Sequence, residues 1–595
     1  MESERRSSGG LHWPYPFLRS LDGYRRGWLV RDAAGGILIT AVAVPLSMGM
    51  AEVAGVPPVV GLYSCILPLV AYALIGSSRR LVIALDASTA AMLAAAIGPL
   101  ARGDPRRYLE LMAVLTVLVG LMLIVAGLLR LGIVADLLSR PVLLGYQAGL
   151  AVVVIASQLE RLTGSNLSAT NTLPRIVESL GHIMRWDAST VGVATGCLIV
   201  MLVLKRRFPT LPGALIAIIA ATALASTFLD GRIELVGAVP SGLPTIRLPA
   251  DIGGSVWTLL GPAAGIALVA ATDTLAASRA FAARSGEQVD PSRDLLGLGA
   301  ANAAAAVSGG MTTSASAART AVAESIGTKS QVAGIAAAVT MALVLTLFTG
   351  PLSRVPIAAL AAVVVAAVVR LIEVGNIRRL WALRRPEFGI SITTAVAVVG
   401  LGVLPAIVIA MALSLVEFMR RTARPGDAIL GHMSERRGYH DVARHEVNVD
   451  PTVMVYRFDA PLFYGNAERF RSRIQRLLGA RPDVRMLVLD AAGITSVDAT
   501  SADVMLEVKA ELDDRGIELV LADLVDDARD TLDRAGVIDV LGPGGTADSV
   551  SEAVESATRR NGSPPSDLGS GGVRADGPPD AGPNDRWGGA GGEAW

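Results

Sequence analysis

Residues 32–81 read DAAGGILITAVAVPLSMGMAEVAGVPPVVGLYSCILPLVAYALIGSSRRL. No side chain is charged from Ala33 to Met50, and a second uncharged run extends from Val59 to Gly76 before Arg79 and Arg80 close it. Runs of this length and polarity ask for an apolar solvent, and a bilayer supplies one. The stretch therefore reads as two membrane helices joined by a short turn around Pro57-Pro58.

Outward from this stretch the texture repeats. Apolar runs at 33–50, 59–76, 81–100, 109–129, 141–159, 189–204, 212–228, 259–281, 295–307, 312–326, 332–348, 356–369, 388–401 and 404–418 predict fourteen spans. Several fall short of the roughly 20 residues of a full crossing, and the third and tenth, near 81–100 and 312–326, are the ones that matter below. Lys and Arg placement orients the train. With the N-terminus inside, cytoplasmic loops hold residues such as Arg25, Arg26, Arg79, Arg80, Lys205, Arg206, Arg378 and Arg379, and the outer loops hold about half as many, a bias in the direction the rule requires. An even number of spans with both termini cytoplasmic is expected, in the inner (plasma) membrane of a bacterium. Residues 1–31 are polar and basic and the first apolar run is too long for a signal-peptide core, so no cleavable leader is expected.

Composition agrees. Hydrophobic residues make up 52% of the chain and charged ones 18%, with mean hydropathy +0.51, whereas a soluble domain is about a quarter charged. Basic and acidic residues balance at 53 each and no basic run stands out, which excludes a nucleic-acid partner. Cys65 and Cys197 sit in apolar segments and read as small buried hydrophobes. The five histidines are scattered, and neither zinc spacing, a nucleophile elbow nor a phosphate loop is found, so the sequence points to no enzyme, metal or cofactor.

After Arg424-Pro425-Gly426 the pattern changes. Short Val- and Leu-rich strands at 453–458, 485–490 and 518–522 alternate with helical patterns at 466–478, 501–514 and 526–535, which is the pattern of a small α/β domain. The expected layout is a cytoplasmic segment (1–32), a membrane domain (33–420), a linker (421–450), the α/β domain (451–558) and a Gly/Pro-rich tail (559–595). Such a tail cannot bury a core and is expected to be disordered.

Several blocks resemble the SulP family of anion transporters. They are the opening stretch with Pro45, AGVPPVVGLY (54–63) and GSSRRL; SRPVLLGYQAG (139–149); and FAARSGEQVDPSRDLLGLGAANAAAAVSGG (281–310). YRFDAPLFYGNAERFR (456–471) resembles the start of the STAS domain that such transporters carry. The resemblance covers about residues 25–555. It implies an α-helical polytopic membrane protein of two inverted seven-helix repeats plus STAS, and a homodimer. It also implies that the third and tenth spans are half-helices whose N-termini meet at mid-membrane. Half-helix N-termini bring free N–H groups and a positive dipole end, which suit an anion, and broken helices occur in membranes where they line a cavity.

The candidate site residues follow. Asp273 lies within GPAAGIALVAATDTLAAS (261–278), where an ionisable group costs about 2.5–3.5 kcal/mol on insertion scales. The resemblance links this position to proton or sodium coupling; the plain alternative is a partner for a nearby Arg. Sodium-coupled relatives have a Thr one turn on, where this chain has Ala277 followed by Ser278, which favours the proton. Arg319 follows GGMTTSASAA, and its guanidinium suits an oxyanion, with Thr312, Thr313, Ser314 and Ser316 close by. A structural pairing of Arg319 with Asp86 or Asp273 is the competing expectation.

In the third span, RLVIALDASTAAM (80–92), Ser88 and Thr89 are candidate substrate hydroxyls and Asp86 a second coupling group. Ala84-Leu85 stand where relatives have Gly-Pro, which would let a helix run on. Leu46 and Met50 make the first span more apolar than usual. In VDATSAD (497–503), Thr500 and Ser501 are candidate phosphorylation sites at a helix start, against the simpler role of an N-cap. The function expected is secondary active transport of a small anion of the sulfate, bicarbonate or carboxylate class. The alternatives are a non-transporting membrane sensor that signals through STAS, or a nucleobase carrier of similar helix topology, although such carriers lack STAS.

Overall fold

The computed structural model describes residues 24–131, 139–169, 171–208, 211–228, 232–246, 256–433 and 438–560. The chain divides into two compact units, Met1–Leu415 and Val416–Trp595. Most of residues 1–32 and nearly all of the expected tail lie outside the described residues.

The membrane unit runs twice through one sequence of elements. The first pass is α1 (Leu29–Val53), α2 (Pro58–Tyr63), α3 (Leu67–Ile75), β1 (Ile83–Ala84), α4 (Ala87–Ala101), α5 (Pro105–Leu128), α6 (Arg140–Thr163), α7 (Thr172–Gly181), α8 (Ala188–Arg207) and α9 (Gly213–Phe228). The second is α10 (Val256–Ser285), α11 (Pro291–Val307), β2 (Ser314–Ala315), α12 (Ala317–Ile326), α13 (Val332–Leu347), α14 (Thr349–Ser353), α15 (Ile357–Val368), α16 (Val374–Leu383), α17 (Arg385–Leu401) and α18 (Val403–Ala423). Each predicted apolar run overlaps one of these helices or a helix pair, and the runs at 81–100 and 312–326 also take in a two-residue strand ahead of the helix. Among the described residues, seven helical stretches are long and apolar enough to cross a membrane, and α4, α9 and α13 are shorter apolar helices.

Local chemistry sets the boundaries. Asp104-Pro105 starts α5 and Asp290-Pro291 starts α11, each Asp accepting from N–H groups of the first turn and each Pro filling N1. Gly164 and Gly327 end α6 and α12 in the left-handed region, at φ 66° and 79°. Two groups of helices result: α1–α5 pack with α10–α13, and α6, α8 and α9 pack with α15, with α17 against α6. Small residues allow close approach. A Cβ on Gly145 would sit 2.0 Å from the Ser391 carbonyl oxygen, which fixes how near α6 and α17 lie.

The second unit is a six-stranded sheet, in order β4-β3-β5-β6-β7-β8. Its strands are β3 (Asp427–His432), β4 (Tyr439–Asp441), β5 (Val453–Phe458), β6 (Met486–Asp490), β7 (Glu518–Ala522) and β8 (Thr546–Ala547). β5 to β8 are parallel and β3 is antiparallel to β5. Helices α19 (Ala467–Gly479), α20 (Ala499–Asp514), α21 (Asp526–Arg534) and α22 (Val537–Leu541) cover one face, against Met454, Tyr456, Phe458, Leu487 and Leu489. The alternate side chains Val453, Val455, Met486 and Val488 pack on α23 (Val550–Arg560), as the two-residue period of a strand requires. Within the stretch expected to be linker, Asp427–His432 and Tyr439–Asp441 instead form antiparallel strands that extend the sheet. β4 is short, polar and half-exposed at the sheet edge, and β3 holds only Ala428, Ile429 and Leu430 as an apolar run, so neither has the pattern that identified β5–β7.

Candidate functional site

β1 and β2 pair antiparallel, Ile83 with Ala315 and Ala84 with Ser314. Each strand runs directly into a short helix, so α4 and α12 leave the pair in opposite directions. The pairing is clamped on several sides. Ser316 N–H donates to the Val82 carbonyl at 2.9 Å, and Val82 N–H to the Thr320 hydroxyl at 3.0 Å. Asn302 accepts from Thr313 N–H and donates to the Thr313 carbonyl, at 2.9 and 3.1 Å. Thr274, beside Asp273, accepts from Ala315 N–H at 3.1 Å. Ala84-Leu85 does not let the helix run on: the backbone is taken by β2, and α4 starts only after Asp86.

The two helix starts differ in chemistry. At α4 the Asp86 carboxylate is the N-cap and accepts from Ser88 N–H at 3.0 Å and the Ser88 hydroxyl at 2.6 Å. Thr89 donates its hydroxyl to the Asp86 carbonyl at 3.1 Å. That N-terminus already holds a carboxylate, and both of its hydroxyl protons are engaged.

At α12 the cap is Ser316, whose hydroxyl accepts from Arg319 N–H at 3.4 Å. Arg319 is 1% exposed. Its Nη2 donates to the Ser47 hydroxyl at 3.1 Å, and Ser47 lies 3.0 Å from the Cys65 thiol. Arg319 Nε and Nη1, and the buried hydroxyls of Thr312, Thr313 and Ser314, have no hydrogen-bond partner among the described residues. Arg319 forms no ion pair with Asp86 or Asp273 among them either, although it feels the Asp86 charge. Buried donors are nearly always paired, so α12 presents an unused cationic, hydroxyl-rich N-terminus.

Asp273, half-buried on α10, is in the field of the Asp86 carboxylate. Tyr146 of α6, buried with its hydroxyl unpartnered, is in the field of both carboxylates. The neighbourhood thus draws on both helix groups. Ser278 does not stand in for the Thr missing at Ala277: its hydroxyl donates to Asp294. Asp294 is fully buried and also accepts from Tyr72, Ser77 and Ser78, which ties α3, α10 and α11 together.

In the second unit, Asp498 caps α20, accepting from Ser501 N–H and Tyr464 N–H, both at 2.8 Å. Burial pushes its carboxyl up, but these bonds outweigh it and hold the group below the usual range. Ser501 is fully buried and Thr500 is exposed.

Ser47, Tyr146, Thr274 and Asn302 were not picked out from sequence. Ser47 follows Leu46, and Tyr146 lies inside the quoted GYQAG block. Their signal was a polar side chain within an apolar run. Many such residues only bond their own helix carbonyls, as Thr116 and Thr272 do here.

Comparison with known proteins agrees with this architecture. Residues 29–394 match the sulfate permease family and residues 444–553 match the STAS domain. The chain is 40% identical over 541 residues to a probable sulfate transporter of Mycobacterium tuberculosis H37Rv, covering 90% of this chain and 97% of that one. It is 26% identical over 551 residues to the chloroplastic sulfate transporter 4.1 of Arabidopsis thaliana, covering 89% and 80%. The fold is similar to that of the murine Solute Carrier 26 family member A9 anion transporter, with TM-score 0.82 at 19% identity over 90% of this chain and 92% of that one. It is similar as well to the transmembrane domain of the cyanobacterial bicarbonate transporter BicA, with TM-score 0.58 at 19% identity over 65% and 97%. The two-pass membrane unit with its paired half-helices, followed by a small α/β unit, is that of a membrane-embedded member of the sulfate permease family with a STAS domain.

Proposed function

We propose that this chain is a secondary active transporter of a small oxyanion of the sulfate, bicarbonate or carboxylate class, coupled to protons through Asp273. The observation that carries the reading is Arg319: a buried guanidinium in the first turn of a half-helix, with two nitrogens that have no partner among the described residues, as have the hydroxyls of Thr312, Thr313 and Ser314 in the segment that leads into that helix. Two N–H groups in one plane fit an oxyanion, and the helix dipole adds to their pull. The anion sits on the α12 side. Asp86 already fills the α4 start, so Ser88 and Thr89 shape the site from behind their own hydrogen bonds. Ser88, bonded to Asp86 at the α4 start, links the substrate side to the coupling carboxyl.

The proton is favoured over sodium because Ser278, the nearest replacement for the missing hydroxyl ligand, is bound to Asp294. The chain resides in the bacterial inner membrane with both termini cytoplasmic, the orientation favoured by its basic loops, and works as a homodimer. If the STAS loop is phosphorylated, Thr500 is the acceptor, since Ser501 is buried beneath it.

Uptake into proteoliposomes tests this, with a pH gradient and a sodium gradient imposed separately. Wild-type protein should accumulate labelled sulfate or bicarbonate under an inward proton gradient and ignore sodium. Asp273→Asn should keep anion binding and lose pH-driven accumulation. Arg319→Ala should weaken binding by about 2–3 kcal/mol, the loss of a charge-assisted contact. Equal pH-driven flux in wild type and Asp273→Asn sinks the coupling role. No flux of any anion in wild type would favour the sensor reading.

A further inference from the structure

α7 and α16 hold the same place in the two passes, α7 between α6 and α8 and α16 between α15 and α17. In inverted repeats such a pair lies on opposite faces of the membrane. Both are amphipathic, and both leave large apolar side chains exposed. Their charges differ. On α7, Arg175 pairs with Glu160 at 2.6 Å, and Glu178 is bound by Ser168 and Ala169 of the preceding loop. On α16, Arg378 and Arg379 are exposed and have no carboxylate partner among the described residues. Arg384 has only Glu387, at 4.0 Å, and Glu373 is held by Asn376.

The helix has the geometry of a surface-lying segment. Val374, Ile377, Leu380 and Trp381 fall at three- and four-residue spacing on one arc, and Arg378 and Arg379 fall on the other. Val374 is 66% exposed, Trp381 53% and Leu383 66%. Trp381 packs edge-on against Phe388 of α17, ring centroids 4.9 Å apart, so the apolar arc is continuous with the apolar helix that follows it. The Arg385 guanidinium lies 5.6 Å from the centroid of the Trp381 ring. An indole at the rim of a span with cations around it sits at headgroup depth.

The geometry points to α16 as a docking surface for anionic lipid headgroups of the cytoplasmic leaflet, with Arg378 and Arg379 binding the lipid phosphate and Val374 and Trp381 seated among the acyl chains. The unmatched positive charge needs a counter-charge from outside the chain, and the apolar arc needs a bilayer rather than water. An acidic protein would satisfy the arginines and leave the apolar arc uncovered. The choice of leaflet rests on the topology proposed above.

The test uses the full chain in nanodiscs containing brominated phosphatidylglycerol or brominated phosphatidylcholine. The signal of Trp381 is the difference between wild type and Trp381→Phe. Quenching by the phosphatidylglycerol should exceed that by the phosphatidylcholine at equal mole fraction, with local enrichment on the order of tenfold for two arginines at the surface. High salt should reduce it. Arg378→Gln/Arg379→Gln should equalise the two lipids while quenching persists, and both residues are exposed, so the variant should fold. Equal quenching in wild type overturns the headgroup site. No quenching by either lipid overturns the interfacial position. Leaflet is read separately by labelling Gly375→Cys with a membrane-impermeant maleimide, against a background in which Cys65 and Cys197 are buried. Labelling in everted but not right-side-out vesicles is expected. The reverse would overturn the cytoplasmic assignment whatever the lipids show.

Discussion

At Glu178 the carboxylate accepts from Ser168 N–H at 2.9 Å, the Ser168 hydroxyl at 2.7 Å and Ala169 N–H at 2.8 Å. These bonds, the Ser168 N–H first, hold it down to about 2. A carboxyl depressed in the folded state stabilises above its unfolded value and stops doing so as pH falls through its folded value. Protection of the Ser168 and Ala169 amides should therefore hold from neutral pH to about 4.5 and fade towards about 2. Glu178→Gln should show the loosened loop at neutral pH. Hydrogen exchange checks both, and a protection profile that is the same in the two proteins would remove Glu178 from this role. Ionisable groups at membrane depth were legible in sequence, because Asp273 and Arg319 stand out in apolar runs. Ser47 and Asn302 did not, because a neutral polar residue there is cheap enough to be common.

At the scale of elements, the half-helices owe their breaks to a pairing that no local window contains. The short runs predicted something unusual at 81–100 and 312–326. The two-residue strands and their clamps join positions far apart in the chain, so local periodicity could not show them. Asn302 is the most exposed point of this arrangement to mutation. Asn302→Leu strands the buried Thr313 N–H and carbonyl, each worth about 1–3 kcal/mol when left unpaired. Stability of the purified protein should fall by about 2–6 kcal/mol by that reckoning, and anion affinity should fall with it as the α12 start shifts. Thermal unfolding and binding on the same sample measure the two, and a variant unchanged in both would mean the clamp is dispensable. The amphipathic connectors α7 and α16 were missed because their pattern is helical but not apolar enough to register as spans. β3 and β4 were missed because a three-residue apolar run and a short polar edge strand look like linker.

For the whole molecule, the train of apolar helices was readable from hydropathy and the late α/β unit from its alternating strand and helix patterns, since a helix in a bilayer pairs its backbone within its own segment. The grouping of helices was not, because it depends on which small residues meet, as Gly145 meets Ser391. Glu52 at the end of α1 and Arg161 of α6 form a 2.8 Å ion pair between the two helix groups. Homodimerisation is checked by cross-linking in native membranes. An adduct at twice 61.6 kDa is expected, and a product that stays monomeric at every cross-linker dose would count against it.

The β1–β2 pair has a consequence for how the protein is made. Ala84 leaves the ribosome long before Ser314 exists. With roughly 230 residues between them and synthesis at about 5–20 residues per second, the wait is on the order of 10–50 s. Until then the first half-helix sits in the bilayer with its strand edge unpaired and Asp86 as its own stopgap at the N-terminus. Biogenesis must shelter that edge, and a chain truncated before residue 314 should be held by the insertion machinery or its chaperones and not released as a folded half.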